Sequence, residues 1–282
     1  MSSVLFDVPG PRARRRHQIL AAVFGLLLLA VVFWVVQRLV AEKVLAADAF
    51  NATFQNRFLT AVFEGFITTL KAAGLAILSS LLAGALLAAG RLSDHAIVRW
   101  PCAAFIEFFR AVPLLLLFFF IFFAYEAQIG LLLTVVLALT LYNGSVLAEV
   151  FRAGVNAVPK GQSEAAYSLG MRKTQVMNLI LMPQAVRFML PAIVSQCVVV
   201  LKDTTLGALI TYEEVVRTGR SITLIPGAEP LLIYGLIALL FILVNYSLGK
   251  LAEYLERRLS RRGERTADRL AIEPGLGGGA GA

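Results

Sequence analysis

Residues 149–183, EVFRAGVNAVPKGQSEAAYSLGMRKTQVMNLILMP, form the longest polar interruption in a strongly apolar chain. An uncharged run precedes this stretch at residues 129–148, and a second apolar run follows it at residues 188–201. A helix needs about 20 predominantly apolar residues to cross the hydrocarbon layer of a membrane. The stretch is therefore predicted to be a loop between two transmembrane helices.

The composition of the whole chain agrees with a membrane protein. The 282 residues are 59% hydrophobic and 16% charged, with a mean hydropathy of +0.78. A soluble domain has about a quarter of its residues charged, so a soluble enzyme or a nucleic-acid-binding domain is nearly excluded despite the net charge of +8. The two cysteines, Cys102 and Cys197, lack a C-x-x-C spacing and predict neither a disulfide scaffold nor a thiolate metal site.

Working outward from the loop, we predict an all-α polytopic membrane protein with six transmembrane helices. The third span must begin near Pro101 and include Glu107 and Arg110, because its apolar part, residues 111–124, is too short to cross. The fifth span must likewise include Lys202, Asp203, Thr204 and Thr205. The predicted spans are residues 19–36, 65–90, 101–124, 129–148, 188–211 and 231–249.

The first span also resembles a signal peptide, because arginines crowd residues 12–16 and residues 47–49 resemble a cleavage site. Its apolar run exceeds the usual 7–15 residues, which favours an uncleaved anchor. In the second span, Ser80, Gly84 and Ala88 recur every four residues and predict a close approach of another helix. Small residues scattered through an alanine-rich span are the alternative explanation.

Lysine and arginine placement predicts the orientation, since both concentrate on the cytoplasmic side of membrane proteins. Most of the 26 lie on one side of the six spans. We therefore expect a cytoplasmic N-terminus (residues 1–18), an extracytoplasmic loop (37–64) and a cytoplasmic tail (251–282). The tail begins with leucines at residues 251, 255 and 259, the spacing of an amphipathic helix, and is expected to be disordered from Gly275 onward.

The polar loop itself is predicted to hold two short helices. Ser163 can cap the first one, Gly170 can supply the left-handed residue that ends it, and Thr174 can start the second. Such a pair presents a small ridge that could dock into a groove of a partner protein. A solvated loop helix without a partner is the alternative.

The pattern Glu164-Ala165-Ala166, Gly170, Ile180 and Pro183 resembles the EAA loop of ABC importer membrane subunits, E-A-A-x₃-G-x₉-I-x-L-P, with Met182 where leucine is usual. Four further segments resemble motifs of the polar-amino-acid branch of that family. They are EFFRAVP at residues 107–113, AEVFRAG at 148–154, VPKGQ at 158–162 and LKDTTL at 201–206. Ala111 and Val112 replace the glycine and threonine of the first motif.

The resemblance implies a permease subunit of a binding-protein-dependent importer, with a five-span core at residues 65–250, an extra N-terminal span and the EAA loop at residues 155–183. It implies pairing with an identical or related permease, two cytoplasmic ATPase subunits and an extracytoplasmic substrate-binding protein, all at a bacterial plasma membrane. By carry-over, Glu164, Ala165, Ala166 and Gly170 would couple to the ATPase. The implied substrate is a polar amino acid, with glutamate or a related compound as the narrower expectation.

The chain lacks an ATP-hydrolysing motif of its own, since no G-x-x-x-x-G-K-[ST] occurs in it. We therefore expect no catalytic residues and no cofactor in this chain, with ATP and Mg²⁺ used by a partner subunit. His17 and His95 are isolated in polar stretches and predict no metal site. Lipid is the expected surrounding, and no nucleic-acid partner is expected.

Ionisable and polar residues within spans suggest the translocation path, because they are costly in hydrocarbon unless they have a function. The candidates are Asn143, Lys202, Asp203, Thr204 and Thr205. A structural charge network that holds the spans together is an equally supported alternative for this group. Near the cytoplasmic ends of spans, a structural set of ion pairs is favoured over a direct substrate role; its members are Glu107, Arg110, Glu149 and Arg152.

Two other classes of membrane protein are alternatives to a permease subunit. An ion-coupled secondary transporter or channel would favour inverted repeats and broken helices near the membrane midplane, and residues 202–205 could be such a break. No repeated half is evident. A membrane-embedded enzyme would need a Ser/His/Asp set, paired histidines or a dense carboxylate cluster, and the sequence offers none of these.

Overall fold

The computed structural model describes residues 10–42, 44, 51, 53–54 and 58–271, and all regular structure in that part of the chain is helical. Besides its α-helices, this part of the chain has a π-helical segment, Val176–Leu181, and a 3₁₀-helical segment, Thr204–Ile210. The predicted cleavage-like site at residues 47–49 and the tail from Gly275 lie outside the described residues. The α-helices are α1 (Pro11–Ala41), α2 (Phe58–Arg91), α3 (Ala96–Ala111), α4 (Leu114–Asn156), α5 (Lys160–Ser168), α6 (Lys173–Gln175), α7 (Met182–Asp203), α8 (Val215–Ile222) and α9 (Pro230–Ala271).

Five helices of the described chain are long and apolar enough to cross a membrane. Their ranges are Arg12–Ala41, Phe58–Arg91, Leu114–Asn156, Lys173–Ile210 and Pro230–Leu251. The first, within α1, exposes its apolar residues on every side. A helix that is hydrophobic all round is typical of a membrane span in contact with lipid.

The chain divides into two compact units. One comprises Met1–Phe58 and Ile222–Ile233, and within it the Glu229 N–H donates to Thr53 Oγ1 at 3.2 Å. The other comprises Leu59–Ser221 and Tyr234–Ala282 and contains the polar loop. The core of this second unit includes Phe118, Val135 and Leu139, each fully buried.

A single residue interrupts α4. Gly130 has φ 76° and ψ 165°, a backbone conformation that breaks the helix and that only glycine adopts readily. A straight helix of 43 residues would be about 65 Å long, twice the hydrocarbon thickness of about 30 Å. The break leaves two stretches, residues 114–129 and 131–156, of about 24 and 39 Å. This break replaces the connection that the sequence predicts at residues 125–128. The chain would cross the membrane six times only if it reverses direction at Gly130, so the six crossings stay a prediction.

The predicted third span is wrong in its upstream half. Glu107 and Arg110 lie on α3, which ends at Ala111, and α4 begins afresh at Leu114. The physical reason is Pro113, which pushes the residue before it out of the helical region. Val112 is accordingly extended, with φ −74° and ψ 127°.

The predicted close approach at the small residues of α2 is confirmed. Ser80 and Ala88 are buried on α2, and a Cβ on Gly84 would lie 2.8 Å from Leu147 Cβ and 3.0 Å from the Gly144 carbonyl oxygen of α4. Gly84 therefore allows the backbones of α2 and α4 to pack closely. This contact aligns the ends of the two helices, where the charged residues of the candidate site lie.

Candidate functional site

The first element of the site is α5, which carries Glu164. It begins directly after its N-cap residue Pro159, which has φ −54° and ψ 131°; this proline has no N–H to continue a preceding helix and so separates α5 from α4. The predicted cap, Ser163, is wrong: this residue lies one turn inside the helix, and its hydroxyl donates to the Lys160 carbonyl at 2.8 Å. Proline rather than serine therefore fixes the start of α5.

The predicted end of α5 is confirmed. Gly170 has φ +77°, and its N–H donates to the Tyr167 carbonyl at 2.9 Å. The Met171 N–H donates to the Ala166 carbonyl at 3.2 Å, which completes a Schellman motif. The left-handed glycine thus stops α5 after nine residues and redirects the chain.

The exposed face of α5 forms a short ridge. Glu164 and Ala165 are exposed, Leu169 just beyond the helix is 82% exposed, and Ala166 faces inward at 4%. On its other face α5 contacts the π-helical segment that leads into α7. Any displacement of this ridge would therefore act on the base of a transmembrane helix.

Lys173 connects the segment after α5 to another part of the site. Its ammonium donates to the Leu92 carbonyl at 3.1 Å and forms an ion pair with Asp94 in the α2–α3 connection. The hydrogen bond from Lys173 lowers the pKa of Asp94 below its ordinary value of 3.8. The carboxylate is exposed, so this pair fixes geometry more than it adds stability.

An ion-pair network lies at the ends of α2 and α3 and near the end of α4. Arg91 pairs with Glu107 at 3.2 Å and with Glu149 at 3.0 Å, and Glu149 pairs with Arg152 at 2.8 Å. Three of the four predicted members therefore meet, through an arginine that the sequence analysis did not single out. Within the described residues, no ion pair shorter than 4.0 Å includes the fourth, Arg110.

Asn143, which is fully buried, forms a polar pair with the half-buried Gln196 inside the second unit. Its Oδ1 accepts a hydrogen bond of 2.6 Å from Gln196 Nε2 on α7, and Asn143 Nδ2 is buried without a hydrogen-bond partner. An unsatisfied buried amide is costly and usually has a reason such as a ligand or water. Gln196 was missed by the sequence analysis, although a glutamine within an apolar span was the signal that could have identified it.

The predicted group at residues 202–205 lies where the α-helix changes to a 3₁₀-helix. Thr204 is fully buried and donates to the Leu201 carbonyl at 2.6 Å, and Thr205 donates to the Lys202 carbonyl at 2.7 Å. Both hydroxyls therefore satisfy freed backbone groups, as expected for threonines at a helix irregularity. Lys202 is exposed and Asp203 is half-buried. No hydrogen bond between described residues joins this group to Asn143.

A buried carboxyl group, Glu214, was also missed. Its Oε1 accepts from the Arg217 N–H at 2.8 Å and so caps α8, while Oε2 is buried without a partner. Burial in the protein raises the pKa of Glu214 to about 7. Among the described residues, no group of three or more histidine, cysteine, aspartate or glutamate side chains is placed to hold a metal ion.

Comparisons with known proteins cover most of this region. A family model described as a binding-protein-dependent transport system inner membrane component matches residues 80–261. The glutamate transport system permease protein GluD of Corynebacterium glutamicum is 44% identical over 71% of this chain and 75% of its own length. The probable glutamine ABC transporter permease protein GlnP of Bacillus subtilis is 36% identical over 74% of this chain and 98% of its own length.

Solved structures share the fold. A crystal structure of an amino acid ABC transporter with histidines aligns with a TM-score of 0.67 and 29% identity, over 72% of this chain and 95% of that chain. An inward-facing structure of the MetNI methionine ABC transporter aligns with a TM-score of 0.60 at 17% identity, which supports the fold alone.

Proposed function

We propose, from the premise that this chain belongs to the family of binding-protein-dependent transport system inner membrane components, that it is the permease subunit of an ABC importer for glutamate- or glutamine-type amino acids. Membership of this family makes the chain a multi-pass membrane transport subunit rather than an enzyme. The substrate class is supported by the relatives, which carry the names of glutamate and glutamine permeases. Family membership also favours this function over an ion-coupled secondary transporter or channel.

The coupling to ATP hydrolysis is assigned to α5. Glu164 and Ala165 are exposed on a short helix that ends at a left-handed glycine and contacts the base of a membrane-spanning segment. In the proposed importer this ridge docks onto a separate cytoplasmic ATPase subunit, which binds ATP and Mg²⁺. The shape and exposure of α5 are the single observation on which this assignment depends.

The remaining groups receive distinct roles. Asn143, with its unsatisfied amide, is a candidate for contact with the substrate path, together with Lys202, Asp203, Thr204 and Thr205. The Arg91, Glu107, Glu149 and Arg152 network is assigned a structural role at the cytoplasmic side. A second permease subunit and an extracytoplasmic substrate-binding protein complete the proposed assembly, with both termini of this chain in the cytoplasm.

The test is ATP-dependent uptake of radiolabelled glutamate and glutamine by the importer reconstituted in proteoliposomes. Glu164→Lys reverses a charge on the ridge, so we expect uptake to fall at least tenfold and the ATPase subunit to fail to co-purify. Glu126→Lys is the control for the same charge reversal, because Glu126 lies in the first α4 stretch, separated from α5 by Gly130 and the whole second stretch. Normal ATPase recruitment by Glu164→Lys would refute the coupling assignment, and failure of the wild-type importer to transport either amino acid would refute the substrate class.

A further inference from the structure

A cavity of about 500 Å³ lies between α2, the start of the second α4 stretch and α8. Its volume falls within the range of about 300–1,000 Å³ that is typical of small-ligand sites. Three of the side chains that line it are charged. The lining residues that matter here are Glu64, Thr68, Leu131, Tyr212, Glu213 and Arg217.

The wall of this cavity is built by direct contact of α2 with α8. A Cβ on Gly65 would lie 2.6 Å from Thr218 Oγ1 and 3.0 Å from Val215 Cα, so only glycine permits this approach. The Val215 N–H donates to Thr69 Oγ1 at 3.2 Å, and the Tyr212 hydroxyl donates to the Thr68 carbonyl at 3.3 Å. The charged side chains are therefore presented by elements with a fixed separation.

The distance from the cavity to the ion-pair network can be measured along two helices, and it is long in both. Along α2, Thr68 is about 35 Å from Arg91, and along α4, Leu131 is about 27 Å from Glu149. These lengths are close to the hydrocarbon thickness of about 30 Å. Since Arg91 pairs with Glu149 at one end, the cavity lies at the opposite membrane surface from α5. In the proposed orientation this surface is extracytoplasmic, where a binding protein would release its cargo.

The charges that face the cavity are not neutralised by one another. Among the described residues, no ion pair shorter than 4.0 Å includes Glu64, Glu213 or Arg217. The neighbouring hydroxyls are already used, because Thr68 donates to the Glu64 carbonyl and Thr218 to the Glu214 carbonyl. Carboxylates and a guanidinium that share a cavity without pairing match a ligand with both an ammonium and a carboxylate group.

We propose that this cavity is an entry site for a zwitterionic α-amino acid, in which Arg217 binds the α-carboxylate and Glu64 and Glu213 bind the α-ammonium group. The identity of the bound amino acid and the direction of transport rest on the proposed function. The new element is the place where the amino acid is first bound by the permease. The site recognises the groups that glutamate and glutamine have in common. Discrimination between their side chains is therefore not expected from these three residues.

The experiment measures binding of radiolabelled glutamine and glutamate to the complete permease–ATPase complex in nanodiscs, without the binding protein. Competition uses glutarate, which lacks the α-ammonium group, and γ-aminobutyrate, which lacks the α-carboxylate. The wild-type complex is expected to bind both amino acids and to bind each analogue at least tenfold more weakly. Arg217→Gln is expected to weaken glutamate binding at least tenfold, to the level of γ-aminobutyrate, and Arg217→Lys to restore part of the loss.

Arg220→Gln is the matched control, since Arg220 lies on α8 outside the cavity lining and should leave binding unchanged. Glu64→Gln, on a different helix, provides an independent test if Arg217→Gln does not assemble, and it should weaken glutamate but not glutarate binding. Wild-type affinity in Arg217→Gln or Glu64→Gln would overturn the proposal. A wild-type complex that imports the amino acids with its binding protein yet binds none directly would overturn this entry site and leave the proposed function standing.

Discussion

At the scale of single residues, the buried polar groups were the hardest features to predict from the sequence. Gln196 meets Asn143 across 53 positions of chain, and Glu214 is buried by a helix contact with Gly65 and Thr69. Neither burial follows from local pattern, because each depends on which helices pack together. The glycine at position 170 was predictable, since a helix end needs a left-handed residue irrespective of its tertiary surroundings.

The first prediction concerns the pH dependence of Glu214. Its pKa rises from an ordinary 4.5 to about 7, so the folded state keeps a proton that the unfolded state releases in this window. The free energy of unfolding should therefore fall as the pH rises from about 4.5 to 7, by an amount on the order of 3 kcal/mol at most. Glu214→Gln should flatten this dependence in thermal unfolding of the detergent-solubilised protein.

Glu213→Gln is the control for that measurement, because Glu213 is exposed next to the buried carboxyl. It should keep the wild-type slope between pH 4.5 and 7. An equally steep slope in Glu214→Gln would mean that another group is responsible for the pH dependence.

At the scale of elements, prolines and glycines set the boundaries, and the sequence revealed only some of them. Pro159 and Gly170 delimit α5, and Pro113 separates α3 from α4. The connection that the sequence predicts at residues 125–128 precedes the observed break at Gly130, because a single glycine in an apolar run does not reveal whether it lies inside a helix or interrupts one. The apolar periodicity therefore predicts that helices exist, and tertiary packing decides where they end.

The second prediction tests the end of α5. Gly170→Ala places a Cβ on a left-handed residue, which costs about 1–2 kcal/mol. We expect faster hydrogen exchange in α5 and a severalfold drop in ATPase co-purification. Gly161→Ala is the matched control within the same helix, where a Cβ would meet no atom within 4 Å, so it should be neutral or slightly stabilising. Unchanged exchange in Gly170→Ala would contradict the structural role of this glycine.

At the scale of the whole molecule, the fold class and family followed from the sequence, whereas the number of crossings depends on one residue. Five helices qualify as spans, and α4 provides two crossings only if the chain reverses at Gly130. The reversal also sets the side on which α5 emerges. Hydropathy does not show whether the chain reverses at Gly130, because it reports the length and composition of an apolar run and not the direction of the chain.

The third prediction measures the topology directly. Single cysteines are introduced into a protein whose Cys102 and Cys197 have been replaced by serine, and each is labelled with a membrane-impermeant maleimide on intact cells. Gln128→Cys and Ser221→Cys should react from outside, and Gln162→Cys should react only after permeabilisation. His95→Cys, between α2 and α3, should also react only after permeabilisation, and labelling of His95→Cys and Gln128→Cys from the same side would exclude the reversal at Gly130.

The contacts of Lys173 have a mechanical consequence. One ammonium group joins the polypeptide just beyond α5 to the Leu92 carbonyl and to Asp94, so two chain segments about 80 positions apart share a fastening. A force applied to the ridge by a partner would then reach two parts of the protein, α7 and the connection between α2 and α3. Through the contacts of Lys173, a conformational change of the partner would also move α2 and α3, even if these helices do not contact the partner.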